Sequence, residues 1–85
     1  MKERDVLNVI RSFIDGTAKE WDWDDFISIP IKDDPFLENI RVKCSALRQE
    51  FPSVQRGQYC NDEGFKVLEE FIRMIEQKMK QNNQY

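Results

Sequence analysis

The stretch DPFLENIRVKCSALRQEFP, residues 34–52, reads as one helix from end to end. Aspartate followed by proline is a helix start: the carboxylate takes the free amides of the first turn, and proline at the first helical position has no amide to lose. Phe36, Leu37, Ile40, Cys44, Leu47 and Phe51 then recur at helical spacing and form one apolar stripe. Pro52 stops the pattern, because the residue before a proline is pushed out of the helical region.

The same periodicity extends in both directions. Val6, Leu7, Ile10, Phe13 and Ile14 predict a first helix over 3–15, and Gly16 suits its C-terminal cap. Thr17-Ala-Lys-Glu20 has the form of a capping box, which predicts a short second helix running to about Ser28, where Ile29-Pro30-Ile31 breaks it. Beyond the central helix, a loop over 53–60 contains Gly57, with Val54 and Tyr59 able to pack inward. Asn61 then caps a fourth helix, Asp62 and Glu63 favour its positive end, and Phe65, Leu68, Phe71, Ile72, Ile75 and Met79 line one face. The tail 81–85 is expected to fray. No segment alternates with a two-residue period. The expected architecture is all-α: one domain over 1–85, with four helices, one of them short, around a single core.

Composition narrows the function. Of 85 residues, 40% are apolar and 34% charged, a balance that supports one small core. No stretch approaches the roughly 20 apolar residues of a membrane span. MKERDVLN at the start has no apolar run of a signal peptide, so the expected location is the cytoplasm. The chain contains no histidine, which removes the usual proton-transfer group and the commonest metal ligand. Cys44 and Cys60 are the only cysteines and cannot complete a zinc site; they are expected to be reduced. Cys44 falls on an apolar stripe and reads as a buried, inert thiol. Cys60 precedes a helix N-terminus, a position that can lower a thiol pKa; a reactive role there is the lesser reading beside a reduced thiol without one. Asp22 and Asp24 match the start of a calcium-binding loop, but Phe26 and Ile27 then occupy positions that need an oxygen ligand and a glycine. No phosphate-binding glycine loop is present. The expectation is a protein without catalytic residues, metal or cofactor.

The net charge of −3 is unevenly placed. Asp15, Glu20, Asp22, Asp24, Asp25, Asp33, Asp34 and Glu38 fall within 15–38, opposed only by Lys19 and Lys32. This disfavours nucleic acid, which needs a basic face, and favours a basic protein partner. Within WDWDDF, residues 21–26, a helical turn of about 100° per residue places Trp23, Phe26 and Ile27 on one face, toward the core. Asp22, Asp24 and Asp25 fall on the remaining arc, around Trp21. Trp21 then either packs beneath the first helix or the Pro30 turn, or anchors a partner with its ring. The aspartates are either a solvated face or the charges that pair with that partner. The candidate partner-binding residues are therefore Glu20, Trp21, Asp22, Asp24, Asp25 and Asp33.

FIDG (13–16), WDWDDF (21–26), DPFLENIR (34–41) and YCNDEGFKVLEEFI (59–72) together resemble a group of small all-helical bacterial proteins to which no activity is assigned. That resemblance implies no catalytic residue. In size, acidity, helicity and lack of histidine the chain is also similar to bacterial immunity proteins, which block a cognate toxin by binding it. This second likeness implies an inhibitor that neutralises a basic toxin, such as a nuclease, through an acidic helical surface. The alternative is a helical adaptor or self-associating module, in which the acidic segment serves solubility alone.

Overall fold

The computed structural model describes residues 2–18, 20–53 and 59–82, with the side chains of Glu20, Trp21 and Asn82 outside that description. The described elements are four helices in the order α1 (Glu3–Asp15), α2 (Glu20–Ser28), α3 (Pro35–Glu50) and α4 (Asp62–Asn82). Each packs on its neighbour in sequence, except that α3 and α4 also meet through the segment between them, and α4 closes back on α1. The all-α class and single core follow the periodicity of the sequence.

The helix ends show which local signals decided the outcome. Asp34 is the N-cap of α3: its Oδ1 accepts the amides of Phe36 at 3.0 Å and Leu37 at 3.2 Å, with Pro35 next to it. The chain leaves α3 at Phe51, whose amide still donates to Leu47 O at 2.8 Å. Gly16 closes α1 with φ of 79°, the left-handed conformation that glycine adopts without a Cβ penalty. Asn61 caps α4 by accepting the Gly64 amide at 3.0 Å.

Two expectations about helix ends are corrected. Thr17 does not open α2 as a capping box; the helix starts at Glu20, and the Thr17 amide and hydroxyl both donate to Asp15 Oδ1. Asp15 lies one residue before the glycine cap of α1, so its carboxylate reaches Thr17 first. The tail is not frayed from Gln81, because α4 continues through Asn82; residues 83–85 lie outside the described residues. Val54 and Gly57 also lie outside them.

The core takes Val6, Leu7 and Ile10 from α1, Trp23 and Phe26 from α2, Leu37, Ile40, Cys44 and Leu47 from α3, and Leu68, Phe71 and Ile75 from α4. Ile31 and Cys60 complete it from the connections. Phe13 stands edge-on to Trp23, Tyr59 and Phe65, with ring centroids 3.9, 5.4 and 6.0 Å away, an arrangement that matches ring edges to ring faces. Tyr59 thus packs inward as expected, and its hydroxyl donates to Cys44 O at 3.0 Å. Burial pushes the Tyr59 phenol pKa up. The Trp23 indole lies near enough to favour the ionised phenol, yet outside hydrogen-bond geometry, so Nε1 is buried without a partner among the described residues.

Gly64 allows the start of α4 to close on α3. A Cβ there would stand 2.7 Å from Cys60 Sγ, 2.8 Å from Cys60 Cβ and 3.2 Å from Phe51 Cβ. Asn61 donates its amide to Phe51 O at 2.9 Å across the same junction. Cys44 and Cys60 are both buried free thiols. Burial raises the Cys44 thiol pKa to about 12. Burial raises the Cys60 thiol pKa as well, although the residue precedes a helix N-terminus.

Candidate functional site

The helical reading of WDWDDF holds at every side chain described. Trp23 is 7% exposed and Phe26 2%, Ile27 is half-buried against the core, and Asp22, Asp24 and Asp25 face solvent. Alternation of core and acid within six residues is thus a consequence of α2 lying on the bundle with one face down.

Three of the described acids border one groove. Asp22 and Asp25, one turn apart on α2, lie beside a groove of about 490 Å³, and Asp33 borders it from the turn that follows. Its apolar lining is Val9, Phe26, Ile29, Pro30 and Ile31, and among the described residues Lys32 is the one cation there. Phe26 and Ile31 are core residues, so this lining is fixed from below. Ile29 is 63% exposed, the largest exposure among the described large apolar side chains. Asp24 is exposed but does not line the groove. Asp22 and Asp33 also make contacts of their own within the chain. Of the candidate partner-binding acids, Asp22, Asp25 and Asp33 therefore border the groove, and Asp24 is exposed beside it. The side chains of Glu20 and Trp21 lie outside the described residues, so the aromatic-anchor reading of Trp21 falls outside them too.

The turn that supplies Ile29, Pro30 and Ile31 to the groove is tied to α3 by Glu38 and Arg41. Glu38 and Arg41, one turn apart on α3, form a two-bond fork: Arg41 Nε donates to Glu38 Oε1 at 2.6 Å and Nη2 to Oε2 at 2.7 Å. Arg41 Nη1 also donates to Ile27 O at 2.6 Å, and Glu38 Oε1 accepts the Ile31 amide at 2.9 Å. Ile27 O belongs to the last turn of α2, where carbonyls have no partner within the helix. The pair therefore clips both ends of the turn 27–31, the segment that presents Ile29 and Pro30. The Arg41 guanidinium and the Ile31 amide hold the Glu38 carboxyl at about 2, well below its usual value. An i,i+3 Glu–Arg pair is visible in sequence, but its two backbone partners lie on another element.

Among the described residues, no three cysteine, aspartate or glutamate side chains converge where they could hold a metal ion. The rim carboxylates are spread around an apolar floor instead. Such a surface can attract cations and desolvate an apolar group, which is recognition chemistry. Among the described residues, no helix is long and apolar enough to cross a membrane. No family model, curated protein or solved structure matches the chain.

Proposed function

We propose that this chain is a non-enzymatic, cytoplasmic inhibitor of the immunity type, which neutralises a basic toxin, such as a nuclease, by binding it. The observation that carries the reading is the groove rim: Asp22, Asp25 and Asp33 surround an apolar surface on which Ile29 is largely exposed. A nuclease that holds phosphate needs a basic cleft. Carboxylates on a rigid helix imitate phosphate charge, and opposite fields speed encounter. The apolar floor then supplies the desolvated centre that gives an interface its affinity.

Survival of bacteria expressing any basic toxin found encoded next to this chain tests this. Wild-type chain should protect; an Asp22/Asp25/Asp33→Asn variant that folds normally should not. Equal protection by the variant rules out the acidic-rim mechanism. Absence of protection by the wild type rules out that toxin as the partner.

A further inference from the structure

We propose that the groove is a docking site for a basic partner segment in which one aliphatic or aromatic side chain is flanked by lysine or arginine. This deepens the reading above and rests on it. The apolar side chain packs on Phe26, Ile29 and Ile31, while the flanking cations meet Asp22, Asp25 and Asp33.

Three features of the groove select this occupant. First, among the described residues three carboxylates and one ammonium line the groove, and the surrounding sequence 15–38 carries eight acids to two lysines, so the complementary surface is basic. Second, capture by charge alone needs no apolar floor, yet Val9, Phe26, Ile29, Pro30 and Ile31 form one. Third, the carboxylates stand apart around the floor and do not converge on a point. A single small cation would need convergence. Several cations spaced along a polypeptide need separation. Asp22, Asp25 and Ile29 follow one another at i, i+3 and i+7, so acid and apolar contacts run along a single line at the end of α2. A chain segment can follow such a line. The volume of about 490 Å³ lies in the range of ordinary ligand pockets, room enough for a large side chain and its neighbours.

Ile29 gives the test a variant that spares the fold, since it is 63% exposed and belongs to no buried contact set. The uniformly ¹⁵N-labelled full chain is titrated with three blocked heptapeptides: lysine and arginine around a central tryptophan, the same with central alanine, and glutamates around tryptophan. The first should shift the amides of Asp22, Asp25, Ile29, Ile31 and Asp33. It should bind roughly tenfold more tightly than the alanine peptide, as expected for an anchor residue. Ile29→Ala should remove most of that difference without lowering Tm. If the tryptophan and alanine peptides bind equally at these residues, insertion into the groove is wrong while the basic-partner reading stands. If the glutamate peptide binds as well as the first, the charge assignment is wrong for both. A concentration-dependent dimer of the free chain, closed through these same amides, would assign the groove to a second copy and overturn the proposal.

Discussion

Replacing Arg41 with methionine keeps most of the aliphatic stem and removes every donor that Arg41 brings to the clip. Three hydrogen bonds are lost: two to Glu38, at 2.6 and 2.7 Å, and one to Ile27 O, at 2.6 Å. The bond to Ile27 O is charge-assisted and satisfies a helix-end carbonyl, a class worth about 1.5–3 kcal/mol. The Arg41 side chain is only 12% exposed, so water replaces that donor poorly. Glu38 is 31% exposed, and the ion pair itself adds little, about 0–1 kcal/mol. Together these give a loss of about 2 kcal/mol. For a domain of this size that is a fall in Tm of roughly 8–16 °C. Thermal and urea unfolding followed by circular dichroism give the value, and hydrogen exchange at the Ile31 amide reports the turn. Arg11→Met is the matched control, because its pair with Glu76 is 48% exposed on both sides. It should cost no more than about 0.5 kcal/mol. An Arg41→Met variant as stable as Arg11→Met, with unchanged exchange at Ile31, would refute the clip.

Three further outcomes follow from the same geometry. Gly64→Ala should destabilise by about 1–2 kcal/mol in urea unfolding: the clash with Cys60 costs more than the better helix propensity returns, and a gain in stability would contradict the close approach. The Glu38 pKa is depressed from 4.5 to about 2, so its contribution is complete above about pH 4.5 and is lost as pH falls toward 2. Asp15 is lowered through Thr17 and acts in the same direction, so Glu38→Gln should flatten the acid limb of the stability curve without abolishing it; an unchanged limb would count against the clip. Both thiols should resist a disulfide reagent at pH 8 in the folded protein and react fully in denaturant, since burial raises both pKa values; fast native reaction at Cys60 would place it outside the core.

The helices were legible because their signals are local. Asp34-Pro35, Gly16, Asn61 and the apolar stripes act within one or two turns, and each does in the structure what its residue type favours. Thr17 failed as a signal because its competitor, Asp15, belongs to the preceding helix. At Cys60 the nearby helix end is visible in sequence, and the burial that raises its pKa is not. WDWDDF gave the correct face for Trp23 and Phe26 by rotation alone. The same rotation could not separate Asp24 from Asp22 and Asp25, since that division depends on where Val9 and Asp33 lie. Glu38 was present in the charge count of 15–38, but the backbone partners of Glu38 and Arg41, at the end of α2 and in the turn after it, come within reach only once α2 and α3 pack.

Calorimetric titration of the chain with any basic toxin domain found encoded beside it tests the central claim most directly. Asp22/Asp25/Asp33→Asn should weaken binding about a hundredfold, the equivalent of roughly 3 kcal/mol for three charge pairs at a partly desolvated rim, and should reduce its dependence on salt. Asp24→Asn, off the groove, should leave the affinity within a few-fold of wild type. Wild-type affinity in the triple variant, or an equal loss from Asp24→Asn alone, would contradict a function centred on the groove.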